Sequence, residues 1–302
     1  MVTQPQKHHP GEHLELGQFI PLVYHYHMLA DQARMDAFRE AIAVAVPPNS
    51  RVLELGGGTG ILSFFAAQHA AKVWCVEINP DLVREARRIL ALNTGGERVE
   101  MIEADAFDYL PPEPVDVVIC EMVHVGMLRE KQIPVIESFK RRYQEKFGGM
   151  LPRFVPEGFI QAVQPVQQSF DFDGYYAPIP FFQQPTAQQP RTEDLGNPVA
   201  YQLSCYDGVL PATCSWQGAI TIERSGQLNA LRFITKNLLA IDEAKQRTID
   251  WFSQYLVVPL PEPLMVEAGQ QVTVSFAYQP GDPISALKPV ATLNPSPPPN
   301  RL

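Results

Sequence analysis

Val52-Leu53-Glu54-Leu55-Gly56-Gly57-Gly58-Thr59-Gly60 runs an apolar strand into a glycine turn that opens a helix. A second acid, Glu77, ends the next apolar strand, Val73-Trp74-Cys75-Val76. Strand, glycine turn, helix, strand and acid begin a nucleotide-binding α/β sheet. The turn's glycines fall at 56, 58 and 60. A dinucleotide fingerprint would place its third glycine or alanine at 61, which is Ile61. No lysine follows, as a phosphate loop requires. The turn therefore packs close to a ligand without a pyrophosphate pattern. An adenosine without phosphates fits better, and S-adenosylmethionine (SAM) is the common one. Glu77 then takes the two ribose hydroxyls, because one carboxylate accepts both donors.

The chain has 302 residues, room for one large or two moderate domains. Its formal charge of −9 argues against nucleic-acid binding by bulk charge. Cys75, Cys120, Cys205 and Cys214 form no CxxC pair. They suit a reducing cytoplasm rather than a disulfide framework. The N-terminal stretch has no apolar signal core, and no segment reaches the ~18 apolar residues of a membrane span. His8, His9 and His13 sit in a polar leader, and His25 and His27 have no cysteine nearby. No metal site is expected.

The leader runs from residue 1 to 18. Met28, Met35, Phe38, Ile42 and Ala45 recur at helical spacing up to Pro47-Pro48. Asn79-Pro80 reads as a helix cap with proline in the first turn. The helix it opens sets Leu82, Val83, Ala86, Ile89 and Leu90 against Arg84, Glu85, Arg87 and Arg88. Strands follow at 99–102 and 115–120, then a helix from Pro134 to Phe147 closed by Gly148-Gly149. This is a doubly wound α/β half-sheet. Helical periodicity fades after Met150, and short β-like runs replace it. The expected organisation is a SAM-binding domain over 19–152, a mostly β domain over 153–293, which the family resemblance given below implies to be barrel-like, and a disordered tail over 294–302. Pro178–Pro198, rich in proline and glutamine, reads as an insertion or mobile loop.

Glu121 ends the strand 115–120, and in open α/β sheets ligands bind beyond the carboxyl ends of strands. Glu130 lies nine positions on, far enough for a loop to return it to Glu121. Paired carboxylates match the planar fork of a guanidinium. The residues alone also allow a solvated charge cluster at Arg129-Glu130-Lys131.

Here the chain resembles the protein arginine methyltransferase family. His25-Tyr26-His27-Met28-Leu29-Ala30-Asp31-Gln32-Ala33-Arg34 is similar to the N-terminal helix signature H-x-x-M-L-x-D-x-x-R. Val52–Gly60, Glu54 included, and Glu77 match the SAM-binding motifs. Glu121 and Glu130 match the spacing of the double-glutamate loop. Gly148-Gly149-Met150-Leu151-Pro152 matches the G-G-x-x-P exit into a β-barrel, and Trp251–Gln254 resembles a barrel segment.

The resemblance implies that Arg34 pairs with the SAM carboxylate and Met28 packs near the sulfonium. It implies that Gly56, Gly58 and Gly60 line the methionine moiety, and that Asp105 lies near the adenine amino group. Glu121 and Glu130 would bind the acceptor guanidinium. From the residues alone, Arg34 can instead be a surface helix charge and Asp105 a loop residue or helix cap. The chain also departs from the pattern. The loop reads Cys120-Glu121-Met122-Val123-His124-Val125, without the family's aromatics and glycine. Asp250 replaces a barrel histidine that usually pairs with the helix aspartate, here Asp31. Two acids would then meet, which is costly unless one is protonated or a cation joins them. His124 reads either as a general base or as a space filler. The implied activity is SAM-dependent methyl transfer to a protein arginine. Alternatives are a small-molecule or other side-chain acceptor, or a SAM-binding module without catalysis. The resemblance implies a homodimer, with Gln164–Pro198 as the candidate arm.

Overall fold

The structure is a computed structural model describing residues 20–294. The leader with its three histidines, and residues 295–302, lie outside it. The chain divides into two compact units. The first comprises residues up to Val123, Arg129–Glu157 and Leu239–Ile249. The second comprises His124–Leu128, Gly158–Leu238 and the rest from Asp250.

In the first unit five parallel strands stand in the order β3-β2-β1-β4-β5. They are β1 (Arg51–Leu55), β2 (Lys72–Glu77), β3 (Val99–Glu103), β4 (Val117–Cys120) and β5 (Arg153–Val155). β1, β2 and β4 are almost wholly buried, so their apolar runs are continuous rather than alternating. Strand order reverses between β1 and β4, where Leu55 registers with Cys120. Gly56 and Glu121 therefore leave neighbouring strand ends at a topological switch point. Leu55 also registers with Val76, which brings Glu77 to the same edge.

The helices follow their caps. α3 (Ile61–Ala67) starts at Gly60, which has φ +79° and no side chain to offer. Glu54 of β1 supplies the cap instead, accepting the Ser63 backbone N–H at 2.8 Å. α4 (Pro80–Leu90) is capped by the Asn79 side chain, as the sequence leads one to expect. α5 (Gln132–Phe147) begins two residues earlier than the sequence suggests.

The periodic run from Met28 to Ala45 is two helices, α1 (Leu22–Ala30) and α2 (Gln32–Ala45). Asp31 breaks it. Its ψ of 90° is non-helical, and its side chain accepts the Arg34 N–H as the α2 cap. α2 buries Met35, Phe38, Ile42 and Ala45, whereas α1 buries nothing.

The second unit is antiparallel β. Its larger sheet runs β10 (Thr192–Asp194), β6 (Gly158–Gln168), β13 (Gly226–Asp242), β15 (Tyr255–Val266) and β9 (Phe181–Gln183). β11 (Val199–Cys205) pairs with β6, and β14 (Arg247–Phe252) with β13. A three-stranded sheet of β12 (Cys214–Thr221), β16 (Gln271–Tyr278) and β17 (Val290–Leu293) completes the core around Leu231, Phe233, Leu256 and Phe276. Among the described residues, β7 (Asp171–Phe172) and β8 (Tyr175–Tyr176) form a separate hairpin.

Pro178–Pro198 is not a free loop. It contributes β9 and β10 to opposite margins of the larger sheet. Gln183 of β9 donates to Thr192 of β10 at 2.7 Å, so side chains join the two margins. Asn294, expected in the tail, is tied to β16 by its backbone N–H to the Gln271 carbonyl. Among the described residues no helix is long and apolar enough to cross a membrane.

Candidate active site

Gly56, Gly58 and Gly60 all hold positive φ (78°, 54° and 79°), where a side chain is strained. Their Cβ positions are also taken. A Cβ on Gly56 would lie 2.8 Å from Met122 Cγ, and one on Gly58 would lie 2.7 Å from His25 Cε1. Glu77 stands beside this turn. Its Oε2 accepts the Gly58 N–H at 2.9 Å and its Oε1 the Asn79 N–H at 2.8 Å. Each oxygen keeps a lone pair for a further donor. A fixed carboxylate with two free lone pairs beside a side-chain-free turn fits a nucleoside ribose, and so fits SAM.

Glu54 does not face that turn's open side. It is 2% exposed, and its carboxylate serves Ser63 N, Ser63 Oγ and Cys75 Sγ. Burial lifts its carboxyl to about 7, against the hydrogen bonds from Ser63. Its place is beneath the turn, as the cap of α3. Asp105 is half-buried, and its Oδ1 accepts the Phe107 N–H at 2.8 Å within a tight turn. Met28 is half-buried on α1.

Arg34 is not a surface charge. It is buried, lies 5.3 Å over the Phe38 ring and forms an ion pair with Glu121. Burial raises the Glu121 carboxyl, and Arg34 opposes that shift. Glu130 is pushed up to about 8, first by burial and then by the charge of Glu121. The loop thus brings its two carboxylates within reach of each other's field. Among the described residues no ion pair or hydrogen bond holds the Glu130 carboxylate.

Two further residues that sequence reasoning did not single out shape this region. Gln132 is fully buried and clamps the start of the loop. It accepts the Met122 N–H at 2.8 Å and donates to the Cys120 carbonyl at 2.6 Å. His25 covers Gly58, and burial lowers its pKa. Its Nε2 is buried without a hydrogen-bond partner among the described residues. Only the start of the N-terminal signature could have drawn attention to it.

In the second unit, His124 sets Nδ1 3.0 Å from the Val125 carbonyl, which can only accept, so Nδ1 donates. Its ring meets Phe182 of β9 edge-on at 5.3 Å. Asp250 pairs with Lys236 at 2.7 Å, and Asp31 caps α2. Each acid therefore has its own partner, and Asp250 has its cation without Asp31.

A family model described as a methyltransferase domain matches residues 52–145. An uncharacterized protein of Methanothermobacter thermautotrophicus is 30% identical over 222 residues, covering 72% of this chain and 78% of that one. Protein arginine N-methyltransferase PRMT10 of Oryza sativa subsp. japonica is 34% identical over 140 residues. The chain belongs to the protein arginine methyltransferase-like family of class I SAM-dependent methyltransferases. The PRMT10 match covers 44% of this chain and 37% of the rice protein's length. The family's fold extends further. The Trypanosoma brucei PRMT1 enzyme–prozyme complex with AdoHcy superposes with a TM-score of 0.70 at 18% identity, covering 89% of this chain and 96% of that one. The family's parallel sheet and following β domain are both present here. SAM is the family's methyl donor.

Proposed function

We propose that this methyltransferase acts on the guanidinium of a protein arginine. The observation that carries the reading is the buried carboxylate pair. Glu121 already accepts a guanidinium, that of Arg34, while among the described residues no ion pair or hydrogen bond holds Glu130, whose carboxyl burial and the charge of Glu121 raise to about 8. A planar cation with two donor edges supplies what this pair lacks.

When bound, SAM supplies a methyl carbon on a sulfonium that a nitrogen lone pair displaces. Glu77 holds the ribose hydroxyls with its two remaining lone pairs. Arg34 holds the carboxylate, Met28 packs by the sulfonium, the glycines at 56, 58 and 60 admit the methionine chain, and Asp105 faces the adenine. Glu121 and Glu130 fix the acceptor guanidinium and draw its positive charge toward themselves. That leaves a lone pair on the remaining nitrogen more available. Holding both reactants in place is worth several kcal/mol. His124, three residues beyond Glu121 in the sequence, is proposed as the general base.

The SAM-binding domain is assigned to 19–152 and the barrel-like domain to 153–293. A cytoplasmic setting is proposed on the four free thiols. A homodimer is proposed on the β7–β8 hairpin, where Tyr175 is 73% and Tyr176 60% exposed.

The test is methyl transfer from labelled SAM to arginine-containing peptides, with product amino acids identified by mass spectrometry. Methylated arginine supports the reading. Label on another side chain or on a small molecule alone would overturn it.

A further inference from the structure

A cavity of about 410 Å³ lies in the second unit, and none of its lining residues is one proposed for SAM or for the acceptor. Its volume is in the range of small-molecule pockets. It sits where β9 and β10 meet, and Arg224, Arg232, Tyr255, Glu193, Asp194 and Gln189 line it.

Arg232 is the built part. Only 7% exposed, it spends Nε on Gln183 Oε1 at 2.9 Å and Nη1 on Gln164 Oε1 and Asp194 Oδ1 at 2.8 Å each. Its Nη2 has no acceptor among the described residues. The Tyr255 hydroxyl, from a ring 5.9 Å from the Arg232 guanidinium carbon, has none either. Nor does the Arg224 guanidinium, which is exposed at the rim. Three donor groups thus line one cavity without acceptors. Glu193, also exposed and without a cationic partner among the described residues, brings an unmatched negative charge to the same cavity.

A dianion such as phosphate would satisfy the donors but stand against both Glu193 and Asp194. A simple cation would satisfy Glu193 but meet two guanidinium groups. One chemistry satisfies both halves. We infer that this cavity binds a small zwitterion of the α-amino-acid class. Its carboxylate accepts from Arg224, Arg232 Nη2 and the Tyr255 hydroxyl, and its ammonium pairs with Glu193. A planar carboxylate suits the Arg fork, and a carboxylate next to an ammonium carries no net charge into a protein of net charge −9.

Arg232 holds three neighbours together, so the informative variants are at the exposed positions. Calorimetric titration of the full chain with L-glutamine, succinate and inorganic phosphate tests the inference, with circular dichroism as the check on folding. L-Glutamine should bind saturably and more tightly than either anion. Arg224→Gln and Glu193→Gln should each weaken it about tenfold or more while the fold persists. Absence of saturable binding, tighter binding of phosphate or succinate, or unchanged affinity in both variants would overturn the inference. None of these outcomes depends on the methyl acceptor.

Discussion

The guanidinium of Arg34 is seated on the carboxylate of Glu121, with side chains only 7% and 12% exposed. One residue comes from α2 and the other from the carboxyl end of β4. The pair joins the residue proposed for the SAM carboxylate to one proposed for the acceptor, so donor and acceptor sites share a charge balance.

Removing Arg34 should therefore have two effects. Arg34→Ala leaves Glu121 buried without its cation, which costs about 3–5 kcal/mol at pH 7. The cost is smaller at pH 5 than at pH 7, because burial raises the Glu121 carboxyl and Arg34 no longer opposes that shift. SAM affinity should fall about tenfold or more through loss of a charge-assisted contact. Thermal melts at the two pH values and calorimetry with SAM check this. Equal stability loss at both pH values would contradict the ion-pair account.

Glu130 gives a pH dependence with a defined sign. Its carboxyl is raised to about 8, so below that pH the acceptor-free protein holds a proton there. A guanidinium binds the ionised form and must expel that proton. Acceptor affinity should rise with pH up to about 8 and level off above it, with a slope of up to tenfold per pH unit. Stability of the acceptor-free protein has the opposite trend. The folded state binds more protons than the unfolded one between about pH 4.5 and 8, so stability falls as pH rises through that window. Glu130→Gln should remove the affinity dependence and take its own share out of the stability dependence, the raised Glu54 and Glu121 carboxyls keeping theirs, as peptide titrations and melts from pH 5 to 9 would reveal.

The glycine turn should reject a methyl group. Gly58→Ala combines a φ of +54° with a Cβ 2.7 Å from His25 Cε1. It should cost about 1–3 kcal/mol and weaken SAM binding. Adding His25→Ala relieves the clash but not the backbone strain, so the double variant should recover only part of the stability. Full recovery would place the whole cost in the clash.

Gln132 should act as a positioning residue. Gln132→Ala leaves the Met122 N–H and the Cys120 carbonyl without their clamp. Methyl transfer should fall about tenfold or more, with the acceptor KM raised and SAM affinity within about twofold. A loss confined to SAM binding would contradict this role.

The turn at 56–60 was legible because only glycine accepts those backbone angles, and Glu77 because strand register fixes where β2 ends. The α4 cap was legible because Asn79-Pro80 acts locally. The break at Asp31 was not, since Met28 and Met35 keep helical spacing across it and the deciding bond is side chain to backbone. The strands β9 and β10 were hidden in a proline- and glutamine-rich segment. Each is three residues long at a sheet margin and bears little apolar pattern. In the site, the resemblance drew attention to Glu121 and Glu130, since their spacing alone also allows a solvated charge cluster. His25 over Gly58 and Arg34 on Glu121 could not be read from the sequence, because those contacts exist only once α1, α2 and β4 are folded together.

The most direct test of the central claim is transfer from labelled SAM to arginine peptides by the native chain and by Glu130→Gln, with SAM affinity measured in both. The account predicts methylated arginine from the native chain, and at least a ~30-fold loss in the variant at unchanged SAM affinity. Equal turnover in the variant, or label on a residue other than arginine, would contradict it.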